Sequence, residues 1–302
     1  MMFKILCIDG GGIRGIYPAY ILHRIEEEYK IKINKFFDMV IGTSTGSIIA
    51  GAISIDYSLK DIVRIFEEKS SDIFRKRLFS FCGIVKSQYD KTVLQKILEL
   101  TLGSKTLSET KIRLVIPATD IRNGNVHVFK SNYLSEFVRD KNIKISDAIL
   151  ASCSAPTYFD PQKVGDAMYN LVDGGLWANN PSMVALTEAI GKLCYDKNDV
   201  KILSIGTGFN HITYDIESIT GKSWGLLKNW KGKKLLEMIL NLQSLNDTNR
   251  VKLILRDNYL RINYETEKEL SLDNYKILED MKNRADYSFT YNSERIKHFL
   301  GI

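Results

Sequence analysis

Gly42-Thr43-Ser44-Thr45-Gly46 is a G-x-S-x-G run set between two different kinds of segment. Phe36 to Ile41, before it, is apolar and partly β-branched, and Ser47 to Ile53, after it, is compact and helix-compatible. Glycines on both sides let the backbone turn sharply. Such a turn projects Ser44 Oγ at the start of a helix whose amides favour developing negative charge. Two further glycine motifs end strand-like runs. Asp9-Gly10-Gly11-Gly12-Ile13-Arg14-Gly15 follows Phe3 to Ile8, and Asp173-Gly174-Gly175 follows Leu171-Val172. Consecutive glycines lack Cβ atoms, so their N–H groups can converge on one anion, as an oxyanion hole requires. An acid held at the end of a strand can serve as base for a serine.

With D-G-G-G-x-R-G, G-x-S-x-G and D-G-G in that order, the chain resembles the patatin-like phospholipase family from about Phe3 to Gly208. Ser154-Ala155-Pro156-Thr157-Tyr158-Phe159 and Asn179-Asn180-Pro181 strengthen the resemblance. It implies a Ser–Asp dyad, with Ser44 as nucleophile and Asp173 as its base. Gly10, Gly11 and Gly12, with Arg14 nearby, would form the oxyanion site; Gly15, Gly42, Gly46, Gly174 and Gly175 are the remaining motif glycines. The implied activity is acyl-ester hydrolysis of phospholipids or related glycerolipids, a scheme that demands no cofactor and no metal. A subset of bacterial family members are anti-phage effectors, switched on by a cyclic nucleotide and degrading the cell's own membrane. The front end of this chain looks similar to theirs, which makes a cyclic nucleotide a candidate activator.

At 302 residues the chain can bury a large core, and its 44% apolar and 26% charged content is ordinary for a globular protein. No run approaches the roughly 18–20 apolar residues of a membrane span, and Asp9 arrives too soon for a signal peptide. Cys7, Cys82, Cys153 and Cys194 are scattered, with no C-x-x-C pair; free, mostly buried thiols in a cytoplasmic protein are expected. A net charge of +6 is too mild to argue for a nucleic-acid polymer. Its distribution is uneven. Arg75, Lys76, Arg77 and Lys86 stand among Phe74, Phe79 and Phe81. Between Lys222 and Lys234 five lysines, including Lys228, Lys231, Lys233 and Lys234, accompany Trp224 and Trp230 with no acid. Read alone, each segment is a solvated face with rings packed inward. Beside a lipid-hydrolysing core, both suit docking on an anionic membrane, which would make the protein peripheral when active. Oligomeric state is not legible.

Strand-like runs near 3–9, 37–43, 111–119, 126–130, 168–172 and 200–206 alternate with helical patterns near 16–29, 58–74, 91–102, 146–153 and 182–193. That order gives an α/β fold, a mostly parallel sheet sandwiched by helices. A C-terminal elaboration over about 209–302 is expected to be largely helical, with helices at 226–245, 275–287 and 294–300 and a strand at 259–264. With no repeat and no Pro-rich linker, a single domain over 1–302 is the simplest organisation.

Gly10, Gly12 and Gly15 also satisfy the dinucleotide-binding fingerprint, which expects an acid at the end of the second strand. Asp38 lies at that strand's start, at the wrong edge of the sheet. A Ser-His-Asp esterase is the closer rival, since His211 and His298 follow Asp173. Here, though, only two strands precede the serine, and the glycines follow an aspartate rather than a histidine. A non-catalytic lipid-binding scaffold is the alternative from another class, and the intact serine and aspartate argue against it.

Overall fold

The computed structural model describes residues 2–77, 86–165, 169–214, 230, 232–266 and 271–302, without the side chains of 232 and 233. An eight-stranded sheet forms its centre. β1 (Phe3–Ile8) lies parallel between β2 (Met39–Gly42) and β7 (Val200–Ile205), and β7 pairs in parallel with β8 (Tyr259–Ile262). β3 (Arg113–Asp120) is parallel to β2 and antiparallel to both β4 (Asn125–Lys130) and β6 (Tyr169–Asp173); β5 (Gln162–Val164) pairs with β6. Three-residue β5 is too short to show a period in the sequence.

Central strands are apolar on both faces because helices cover both. Leu6, Ile8 and Val40 face one core layer, and Ile5, Cys7, Met39 and Ile41 face the other. α1 (Ile16–Tyr29), the single turn α2 (Ile33–Phe36), α3 (Thr45–Ser54), α4 (Leu59–Ile73), α5 (Lys91–Leu102) and α6 (Ile145–Ser152) contribute to the first layer. α7 (Gly175–Ala178) is a single turn after β6, and α8 (Ser182–Gly191) buries Ala185, Leu186 and Ala189 in the second layer. Cys7 and Cys153 are buried, and Cys194 is exposed.

After Gly208 the chain adds more than helices, since β8 extends the sheet. α9 (Gly232–Leu255) runs ten residues past the expected end at Leu245 and packs Val251 and Leu255 into the second layer. One helix, α10 (Leu278–Leu300), replaces the two expected at 275–287 and 294–300. Met281, Ala285, Ser288, Phe289, Ile296 and Phe299 keep a buried stripe at helical spacing through the polar stretch that looked like a break. α10 packs along α1, where the Tyr29 hydroxyl donates to the Ser293 carbonyl at 2.7 Å and Arg24 pairs with Asp286. Among the described residues no helix is long and apolar enough to cross a membrane.

Candidate active site

Sheet topology brings Ser44 and Asp173 together. Val115 pairs with both Ile41 and Lys130, and residues 118–120 pair with both β6 and β4. A strand has two edges, so β2 and β6 must follow one another along the same edge of β3. β2 ends into the serine turn, and Asp173, opposite Ala118, ends β6 facing it. Ser44 Oγ donates to Asp173 Oδ2 at 2.6 Å.

Ser44 adopts φ 51° and ψ −125°, a strained conformation for a residue with a side chain. Tight packing holds it there. A Cβ on Gly46 would stand 2.4 Å from the Ile8 carbonyl oxygen, and one on Gly42 2.2 Å from that of Gly46. Both positions therefore require glycine. The Ser44 amide donates to Ser152 Oγ at 2.9 Å, and that hydroxyl donates onward to the Pro117 carbonyl at 2.6 Å.

Asp173 is buried. Its second oxygen, Oδ1, accepts the Gly175 N–H at 2.6 Å, and its backbone carbonyl accepts from the Thr119 hydroxyl at 2.8 Å. Burial raises the carboxyl to about 6, against the opposing hydrogen bonds from Ser44 and Gly175. A carboxylate so raised is a better proton acceptor than one in water.

The glycine turn lies beside this pair, and its amides divide. The Gly10 N–H donates to the Asn179 carbonyl at 3.0 Å, so the expectation that Gly10 offers an oxyanion donor is corrected. Ile13 N–H is taken by Leu272 O at 2.9 Å. The N–H groups of Gly11 and Gly12 have no partner among the described residues, nor does that of Thr45 at the start of α3. Arg14 does not act as a free cation at the serine. Its Nε donates to the Gly11 carbonyl at 3.1 Å, and Nη1 lies 3.5 Å from the Gly208 carbonyl. Thr207 Oγ1 donates to the Gly10 carbonyl at 2.7 Å. In a trans peptide the C=O and N–H point oppositely. Fixing the Gly10 and Gly11 oxygens therefore fixes the directions of the Gly11 and Gly12 N–H groups. Thr207 and Ser152 carry no signal in the sequence that marks these roles, and Asn179 stands in a family motif that does not reveal that its carbonyl takes the Gly10 N–H.

A cavity of about 1270 Å³, counting the open space at its mouth, reaches from Ser44, Asp173 and the glycine turn between α3, α4 and α5. Ile48, Ile62, Phe66, Leu94, Leu98 and Leu102 line its far part. It is an apolar slot with its polar groups at one end, the shape of an acyl-chain site.

Other expectations resolve differently. Asp9 pairs bidentately with Arg261 and is buried; it anchors the turn to β8. Asp38 Oδ2 accepts the Lys4 N–H at 2.8 Å at the start of β1, away from the strand ends that a dinucleotide would need. Both Asp173 oxygens are engaged by Ser44 and Gly175, and no histidine lines the cavity, which removes the Ser-His-Asp alternative. His211 pairs with Glu265 at 2.7 Å on the surface, and His127 is buried against Phe129 and Tyr169, its pKa pushed down to about 4 by burial. Arg77 is ion-paired to Asp160 and Asp90, and Phe74 packs against Tyr89 and Phe159. Lys234 donates to the Thr213 carbonyl at 3.0 Å and covers the Tyr214 ring, which also meets Trp230 edge-on. Trp224, Lys228, Lys231, the Lys233 side chain, Phe79, Phe81 and Cys82 lie outside the described residues.

A buried serine–carboxylate pair at the strand ends of a helix-covered sheet, with free amides beside it and an apolar slot beyond, defines a lipid acyl hydrolase class of site. The patatin-like phospholipase family profile matches residues 6–186, spanning all three glycine motifs, and the chain belongs to that family. An Escherichia coli protein named cGAMP-activated phospholipase is 31% identical over 332 residues, covering 98% of this chain and 92% of its own length. A cUMP-AMP-activated phospholipase, also from Escherichia coli, is 27% identical over 313 residues, with 98% and 93% covered. Patatin-like protein 4 of Arabidopsis thaliana is 29% identical over 342 residues, with 98% and 85% covered.

Proposed function

We propose that the protein is a serine phospholipase A that releases fatty acids from membrane phospholipids through a Ser44–Asp173 dyad. The 2.6 Å hydrogen bond from Ser44 Oγ to the buried Asp173 carboxylate is the observation that carries this reading. As Oγ bonds to the ester carbonyl carbon, Asp173 takes its proton. The carbonyl oxygen gains the negative charge and is held by the Gly11 and Gly12 amides. Collapse breaks the ester C–O bond, and the departing lysophospholipid oxygen takes the proton from Asp173. Water, deprotonated by the same carboxylate, then attacks the acyl-serine, releases the fatty acid and restores Ser44. One oxyanion donor is worth about 100–1,000-fold in rate.

The pH profile tests the base. Because the Asp173 carboxyl is raised to about 6, kcat/KM on a soluble short-chain ester should rise with pH through about 6 and flatten above it. The folded state holds this proton more tightly than the unfolded chain. Stability from the group is thus full below about pH 4 and declines as pH rises through about 6. A profile with no acid limb anywhere between about pH 4 and 7 would remove Asp173 as the base.

Thr207 provides a second test. Thr207→Val should lower kcat about tenfold with KM nearly unchanged, the value of one neutral hydrogen bond, and Thr207→Ser should restore it. Equal losses in both variants would mean that the residue only packs.

The enzyme is proposed to act from the cytoplasm, peripheral to an anionic membrane and activated by a cyclic nucleotide as its named relatives are. Leu236 and Leu240 of α9 and Phe74 after α4 line the slot, and their nearness in sequence to the two basic-aromatic segments supports this reading. Each lysine near such a surface contributes about 1 kcal/mol. Replacing Lys228, Lys231, Lys233 and Lys234 by Gln should weaken vesicle binding strongly while sparing hydrolysis of a soluble ester. Unchanged vesicle binding would return these residues to an ordinary solvated face.

A further inference from the structure

A second cavity, about 730 Å³ with its open mouth, adjoins the acyl slot at the glycine turn, sharing Arg14, Asn179, Leu240 and Leu272 with it. Its walls come from the turn, from the segment after β7 and from α9: Arg14, Thr207, Phe209, Asn210, Asn241 and Ser244 among them. This lining differs in kind from that of the slot. Amide and hydroxyl groups of Asn210, Asn241 and Ser244 can read the hydrogen-bonding edge of a base or a ribose, and the Phe209 ring offers an apolar face.

Two buried arginines border the cavity, and they are not equivalent. Arg261 is neutralised by its bidentate pairing with Asp9. Arg14, 8% exposed, donates to the carbonyls of Gly11 and Gly208, and the carboxylates of Glu237, in the same cavity wall, and of Asp9 favour its charge from beyond ion-pair distance. A buried guanidinium whose hydrogen bonds go to carbonyls and which no carboxylate contacts directly still favours an anion, most of all a phosphate. Asn241 Nδ2 donates to the Asn210 carbonyl at 3.1 Å, which ties α9 to the segment after β7 across the cavity.

The geometry points to this cavity as the effector site of the enzyme, taking a cyclic dinucleotide with a phosphate on Arg14 and a base among Phe209, Asn210 and Asn241. The assignment rests on the reading that a cyclic nucleotide activates the protein. The cavity's position explains how occupancy would be felt at Ser44. Thr207 and Arg14 hold the Gly10 and Gly11 carbonyls, so a ligand that orders them orders the Gly11 and Gly12 N–H groups. Leu240 and Leu272 line both cavities, and the Leu272 carbonyl takes the Ile13 N–H, so a change at either wall bears on the same turn. A ligand shifts such an arrangement only by binding the ordered form more tightly.

Equilibrium dialysis of the full chain with cGAMP and with cUMP-AMP, against linear GMP and AMP, tests the site. The wild-type protein is expected to bind a cyclic dinucleotide saturably and the linear nucleotides at least tenfold more weakly. Asn241→Trp, which fills the cavity from α9, should weaken binding at least tenfold while a fluorophosphonate still labels Ser44. On the wild-type chain, hydrogen exchange should slow on binding at residues 207–210 and 237–248, a readout that needs no variant to fold. Undiminished binding by Asn241→Trp, or protection confined to other segments, would overturn this site and leave activation itself standing. Linear nucleotides binding equally well would overturn the dinucleotide assignment. No binding of either cyclic dinucleotide to the wild-type protein would instead overturn the activation reading, and the site with it.

Discussion

Ser44→Ala is expected to abolish ester hydrolysis, at least about 1,000-fold, because no acyl-enzyme can form without Oγ. Asp173→Asn should fall by about 100–10,000-fold, the range of a positioned general base. Neither loss should come from unfolding. Ser44 donates one side-chain bond outward, while the turn itself is held by the Gly42 and Gly46 packing and by Ser152. An asparagine at 173 can still accept the Gly175 N–H, and it removes a buried carboxylate that costs stability above about pH 6. Its melting temperature at pH 8 should therefore be unchanged or a few degrees higher than that of the wild type, while its turnover collapses. A lower melting temperature accompanying the lost activity would mean that Asp173 holds the fold rather than the proton.

Gly12→Ala should cost about 100–1,000-fold in kcat, the price of displacing one oxyanion donor. The residue sits at φ +58°, and a Cβ there would stand 2.2 Å from the Leu272 carbonyl oxygen, a backbone atom that cannot simply rotate aside. Relief requires the turn to move, and the Gly12 N–H moves with it. KM for a soluble ester should change little, because the far part of the acyl slot is lined by α3, α4 and α5. Fluorophosphonate labelling of Ser44 should slow by a similar factor, since its phosphoryl oxygen uses the same donors. Wild-type kcat in Gly12→Ala, with the melting curve intact, would place the oxyanion elsewhere, with the Thr45 amide next in line.

Legibility followed the range of the interactions. α1 and α5 were readable to the residue because apolar spacing and polar flanks are local properties, and Ser44 and Asp173 were readable because each sits in a glycine motif at a strand end. The identity of the free amides was not. Gly10 looks like Gly11 and Gly12 in sequence, and only the tertiary position of Asn179 decides that its N–H is taken. Thr207 lies 197 residues from the carbonyl it holds and Ser152 108 from the amide it accepts, with no periodic or motif signal linking either pair. Arg14 was expected beside the oxyanion site as a fixed positive charge, and it does border the cavity at Ser44. Its guanidinium turns back onto Gly11, because burial makes the nearby carbonyls its best partners. α10 was expected as two helices, with 288–293, which include Asn292 and Ser293, assigned to neither. Packing along α1 overrides their weak helix propensity.

Mass spectrometry of lipids from anionic phospholipid vesicles, incubated with the full chain in the presence and absence of cGAMP or cUMP-AMP, tests the proposed chemistry most directly. Wild-type protein should release free fatty acid and lysophospholipid in step, increased by one of the two nucleotides, and Ser44→Ala should release neither. Equal release by the Ser44→Ala protein, or diacylglycerol and free headgroup in place of fatty acid, would contradict an acyl-serine mechanism at this site.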